Sequence, residues 1–181
     1  MVKWNWRFVM KVKALLATLV VAAVLGFAGT AWSAAYLKIG DIKGESQADG
    51  HKDEIDVLSW SWGADSNRRR GCVRDFHFVK PIDASSPPIL MGQLTQEVYP
   101  EARLSVEHDG SNRSRFEYLT LNFRNVRIET FRTGGTDGAP VTEQVSFNFE
   151  EVEYSYLQQR ADGSFGDRVT ATIRGRQCRD N

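Results

Sequence analysis

The chain has 181 residues, of which 41% are hydrophobic, with 23 basic against 23 acidic side chains, two cysteines and three histidines. That balance excludes a protein whose main role is gripping nucleic acid, which needs a broad positive face. Two cysteines likewise exclude a multiply stapled mini-protein.

Charge is unevenly spread. Lys3, Arg7, Lys11 and Lys13 form a basic leader without an acidic residue, and residues 14–28 are an apolar run broken only by Thr18 and Gly26. Ala31-Trp32-Ser33 then offers small residues at the two positions a signal peptidase reads. The pattern predicts a secretory signal over residues 1–33 cut before Ala34, with a cut after Ala35 as the alternative, and either Met1 or Met10 serves as the start. The other reading is an uncleaved anchor, but the apolar run falls short of the ~20 residues a spanning helix needs. No stable membrane insertion is therefore expected after cleavage, and the protein is expected to be secreted or periplasmic. Residues 34–181 keep 19 basic against 23 acidic side chains, a formal −4. They amount to one domain, long enough to bury a core without metal or several disulfides.

Period-two alternation dominates this domain. Residues 36–39 form a short first strand. From 54 to 62, Leu58, Trp60 and Trp62 share one face and Ile55, Val57, Ser59 and Ser61 the other, and the tryptophan face is expected to meet the core. Residues 65–71, with Arg68-Arg69-Arg70, read as a polar loop: either a plain solvated connection or a basic patch suited to head-to-tail self-association. Residues 73–80 place Phe76 and Phe78 together, and residues 102–109 place Leu104 and Val106 together, as half-buried strands. Between them Ser85-Ser86-Pro87-Pro88 followed by Ile89, Leu90, Met91, Leu94 and Val98 predicts a helix with a serine cap, proline in its first turn and one apolar stripe.

Residues 116–131 and 141–158 read as long strands whose inward face shifts parity. Leu119, Leu121 and Phe123 give way to Val126 and Ile128, while Val145, Phe147 and Phe149 give way to Val152, Tyr154 and Tyr156. One-residue shifts of this kind mark β-bulges, which bend a strand and let a sheet curl. Residues 169–174 supply a last strand, and Asp49-Gly50, Asp109-Gly110, Gly134-Gly135 and Asp162-Gly163 supply turns. The fold expected is mainly β: an antiparallel β-barrel or sandwich of two sheets with one flanking helix.

Catalytic and cofactor signatures are missing from this pattern. His51 beside Asp53, Glu54 and Asp56 lacks any known ligand spacing, and strand geometry sends Glu54 away from Asp53, so a solvated loop is the expectation. His77 points away from Phe76 and Phe78, as a surface or interface residue does, and His108 ends its strand as a polar cap. No enzyme, metal or cofactor is expected. Cys72 and Cys178 are either a disulfide of an oxidising compartment or two separate thiols, since spacing alone cannot set their Cα distance.

Several runs resemble one family. YLKIGDIKGES at 36–46 and HKDEIDVLSWSWG at 51–63 are similar to the opening of haemolysin-coregulated (Hcp) proteins. DFHFVK at 75–80 before the helix opened by Ser86-Pro87, Tyr118 leading the long strand, Thr133-Gly134-Gly135, and residues 143–149 before Glu153-Tyr154 follow in order. The resemblance spans residues 36 to about 174. It implies the tube subunit of a type VI secretion system: a homo-oligomeric six-membered ring, stacked into a tube that carries small effector proteins, meets other secretion-system components and is itself secreted. It further implies that Ser61, with Ser59 beside it, faces the lumen and contacts cargo. Asn67, Arg68, Arg69, Arg70 and Gly71 correspond to the loop that meets the next ring. The export signal and the cysteine pair depart from that pattern, because tube subunits assemble in the cytoplasm. They leave open a second reading, a stand-alone exported Hcp-like binding module in the periplasm or outside the cell.

Overall fold

A computed structural model describes residues 33–67, 70–109, 115–160 and 164–178; the leader expected over 1–33, save Ser33, lies outside them, as do Arg68 and Arg69. Among the described residues the strands are β1 (Ser33–Ile39), β2 (Ile55–Asp56), β3 (Ser59–Ser61), β4 (Ala64–Asn67), β5 (Arg70–Val73), β6 (Phe76–Pro81), β7 (Tyr99–Asp109), β8 (Arg115–Gly134), β9 (Thr142–Asn148), β10 (Glu151–Gln159) and β11 (Phe165–Arg174), with one helix, α1 (Ser86–Thr95). These strands pair antiparallel throughout, in a nine-stranded system plus the separate hairpin β4–β5. The architecture is the expected two-sheet β fold with a flanking helix, and a sandwich describes it.

One strand holds the two sheets together. The first half of β8 pairs with β7 and β10, so that one sheet runs β2-β1-β7-β8-β10-β11, whereas its second half pairs with β9 and extends the other as β8-β9-β6-β3. The change falls at Asn125, which adopts a positive φ of 52°, a left-handed conformation that asparagine tolerates better than most residues. Its amide donates to Glu150 at 2.7 Å. The inward residues Leu119, Leu121 and Phe123 duly give way to Val126 and Ile128, all of them buried. Pairing stays in register through Asn125, so the parity change there is a left-handed residue at the switch of sheets and not the expected bulge; the bulge falls further along, where Glu129 is extra between Ile128 and Thr130. The parity change near 150 has a different cause. Phe149 and Glu150 separate β9 from β10, and the chain passes there from one sheet to the other.

Between the sheets lies an aromatic cluster. Phe76 stacks on Phe147 and tilts on Phe123, both with centroids 5.0 Å away, and Phe123 meets Phe149 at 4.8 Å. Burying each ring stabilises the fold by roughly 2–3 kcal/mol, and the packed geometry adds to this. Leu104 and Val106 join the core as the alternation indicates.

Three expectations are corrected. Leu58 is 60% exposed, whereas Ile55 and Val57 are buried. The reason is a crossing: the Val57 amide donates to Ala35 of one sheet and the next amide, Leu58, to Val79 of the other, which reverses the parity. Trp60 and Trp62 still pack against the core, half-buried.

The apolar stripe of α1 turns outward. Ile89 is fully buried, but Met91 and Leu94 are 56% and 67% exposed, because the contact is made by small residues. Gly92 sits so close to Tyr99 that a Cβ there would come within 2.1 Å of the hydroxyl.

The third concerns Ser85, which makes no side-chain cap and gives its hydroxyl to Asp83 instead. The helix start is held by a buried network: Lys80, fully buried, donates to Glu143 at 2.8 Å, Ser86 at 3.0 Å and the Pro81 carbonyl at 2.8 Å. Asp83 lies 2.7 Å from the same ammonium and Ser86 donates to Glu143 at 2.7 Å.

Candidate functional site: the outward face of the β3–β6–β9–β8 sheet

Register places Ser59 and Ser61 precisely enough to name their neighbours. Ser61 pairs with His77, His77 with Ser146 and Ser146 with Thr130; one step along, Ser59 pairs with Val79, Val79 with Gln144 and Gln144 with Arg132. Two outward rows therefore cross four strands, Ser-His-Ser-Thr and Ser-Val-Gln-Arg. Phe76, Phe78, Val145 and Phe147 fill the alternate, inward positions of the same strands. Thr130 and Ser146 are hydrogen bonded at 2.7 Å and Ser146 is buried, while the other residues of the two rows line a shallow depression of about 300 Å³. Ser59, Ser61 and His77 are exposed. The arrangement offers hydroxyl, amide and imidazole groups to whatever lies over it. Such groups donate and accept hydrogen bonds to a partner laid over them.

Asn67 and Gly71 lie on the hairpin, with Asn67 opposite Arg70 and Gly71 opposite Ser66. The described part of the segment read as a loop, residues 65–67 and 70–71, thus lies on two short strands. Cys72 on β5 is disulfide-bonded to Cys178, Cα to Cα 5.0 Å, across 106 residues of sequence. The tail also runs parallel to Val73 at Gln177, and the Cys178 amide donates to the Val73 carbonyl at 2.8 Å. The hairpin base and the chain end therefore form one unit.

His51 corrects the solvated-loop expectation. It is 8% exposed, its ring stacks on Tyr36 at 4.2 Å, Nδ1 is 2.8 Å from Glu54 and Nε2 3.0 Å from Glu107. Burial pushes the Tyr36 hydroxyl upward, and Arg115, donating to it at 3.0 Å, pulls the other way. The 40–54 segment is thereby pinned to β1 and β7, helped by Gly44, where a Cβ would come within 2.3 Å of the Glu54 carbonyl. The two carboxylates lie on opposite ring nitrogens and cannot converge on one ion; among the described residues no group of three or more ligand-type side chains could hold a metal. His77 is an exposed member of the polar rows, and His108 is a half-buried ring stacked on Phe116 at 6.1 Å.

Sequence reasoning missed His77, Gln144, Ser146, Thr130 and Arg132 as partners of the two serines. Only pairing register shows them together, although each occupies a polar position in its strand's alternation.

A sandwich of this kind, with one sheet face given over to small polar side chains, is a structural type of protein that works by the surfaces it presents. Residues 36–156 match the family described as "Type VI secretion system effector, Hcp". Protein hcp1 of Pseudomonas aeruginosa is 36% identical over 140 residues, covering 71% of this chain and 86% of that protein. Among solved structures, Hcp1 from Salmonella typhimurium aligns with a TM-score of 0.68 at 28% identity, over 78% of this chain and 94% of that one. A type VI secretion system effector from Yersinia pestis aligns at 0.66 and 27%, over 77% and 98%. The chain belongs to the Hcp family, whose members are secreted type VI proteins that form oligomeric tubes; it is a structural family and not an enzyme family.

Proposed function

We propose that the chain is a ring subunit of a type VI secretion tube, six copies to a ring, with the β3–β6–β9–β8 face toward the lumen and the β4–β5 hairpin, which carries Asn67, Arg70 and Gly71, toward the next ring. Stacked rings carry small effector proteins and leave the cell with them. The observation that carries this reading is the pair of polar rows through Ser59 and Ser61. Four adjacent strands turn small, mostly uncharged side chains to one side, as a passage for varied cargo requires. The sheet also has a free edge at β3, which pairs only with β6 among the described residues, and free strand edges invite pairing with another copy.

A second reading, the exported binding module, is favoured by the disulfide, since such bonds persist in oxidising compartments. Residues 1–33 then act as the export signal. Cleavage before Ala34 fits β1 better than cleavage after Ala35, because it removes only Ser33 from the strand.

Light scattering of the oxidised protein at micromolar concentration, with electron microscopy of the same peak, tests the choice. A mass of six chains and annular particles are expected; a clean monomer sinks the ring and leaves the binding module. N-terminal sequencing of exported protein reads the cleavage point directly.

A further inference from the structure

We infer that the lumen-side face accepts acidic segments of its cargo, an inference that rests on reading that face as the cargo surface. The arginines of the two sheets differ in their partners. On the outward side of the other sheet, Arg103 makes two 2.8 Å hydrogen bonds to Glu117, while Arg124 and Arg174 share Glu151. Those cations are already matched. On the β3–β6–β9–β8 face, Arg127 and Arg132 are exposed and make no ion pair or side-chain hydrogen bond among the described residues.

The lining of the depression over Ser59 and Ser61 contains Arg132 and His77 and no Asp or Glu. The carboxylate on the bulge of β8, Glu129, accepts a hydrogen bond from Asn148 instead of an arginine. With Arg127 and Arg132 against Glu129, this part of the surface carries a small positive excess, on a domain whose formal charge over residues 34–181 is −4.

Arg132 beside the hydroxyls and Gln144, and Arg127 further along β8 opposite Asn148, are unmatched guanidinium groups that suit carboxylates, which they bind in a fork geometry that ammonium groups lack. Repetition of the face around a closed assembly adds the fields of several copies in one enclosed space. A basic or neutral segment gains nothing from these groups, so the face discriminates by charge while leaving side-chain sequence open.

The test uses the full chain and a fluorescent poly-glutamate peptide, with a poly-lysine peptide of equal length beside it, read by anisotropy at low ionic strength; light scattering is recorded on the same samples. Poly-glutamate is expected to bind and poly-lysine not to. Arg127→Gln and Arg132→Gln should each weaken binding by roughly threefold, and the double variant by about tenfold, the scale of exposed ion pairs. Raising the salt should weaken it further. Arg103→Gln and Arg124→Gln on the other sheet are the controls and should leave binding unchanged.

Equal binding of poly-lysine, no poly-glutamate binding by folded protein, or a double variant that binds as well as the parent overturns the inference. If the mass is that of a ring and the double variant still binds fully, the acidic-cargo inference falls and the assembly stands. If the protein is a monomer whose binding drops in the double variant, the inference stands and the assembly falls.

Discussion

On the outward side of the β1–β7–β8–β10–β11 sheet, Arg103, Arg124 and Arg174 end on glutamates, whereas on the outward side of the β3–β6–β9–β8 sheet Arg127 and Arg132 end on none among the described residues. The same residue type is thus consumed by the fold on one face and left available on the other. The difference separates charges that stabilise from charges that bind, which composition alone cannot do.

A third environment, inside the sandwich, sets the scale against which both faces are judged. Glu143→Gln strips the fully buried Lys80 of its principal carboxylate, leaving Asp83, and should cost about 3 kcal/mol in urea unfolding. Replacing both partners together, Lys80→Met with Glu143→Leu, should cost less than that single change, because no lone charge remains buried. A double variant as damaging as the sum of its parts would mean that the network contributes more than paired charge.

Arg103→Gln removes an exposed but two-point contact with Glu117 and should cost about 0.5 kcal/mol. Arg132→Gln should leave stability unchanged within measurement. Equal losses at the two positions would erase the contrast between the faces.

The smallest effect lies in acid. Burial raises the Glu117 carboxyl, but hydrogen bonds from Arg103, Ser105 and Thr120 and the charge of Arg103 outweigh it, holding the group below its ordinary value. The stability this supplies is complete above the unfolded carboxylate's value and is lost as pH falls through the lower folded one. In Arg103→Gln that loss should set in at higher pH, measured as an upward shift of the acid-unfolding midpoint.

Much of the fold was legible because alternation is a local property. Phe76 with Phe78, Leu104 with Val106, and the parity change at Asn125 all follow from residues a few positions apart. The misreadings share a cause as well. Leu58 reads as a neighbour of the tryptophans in sequence because nothing there marks the peptide at which backbone bonding changes sheets. The stripe of α1 was apolar but faced outward, since Gly92 and Tyr99 decide which side seats on the sheet.

The site was half legible. Ser59 and Ser61 could be placed on one face, but Ser146 and Arg132, more than 70 residues away, join them only through pairing across β6 and β9. His51 was invisible for the same reason, as Glu107 arrives from a distant strand.

The Cys72–Cys178 bond has a mechanical consequence. It closes β6 to β11 and α1 into one covalent loop of 106 residues' separation. A pull on the two ends of the chain is carried across the bond and never reaches those elements; only the stretch before Cys72 and the last few residues can be drawn out. A protease cut inside the loop leaves both pieces attached, so oxidised protein nicked there should still migrate as one chain until a reductant is added.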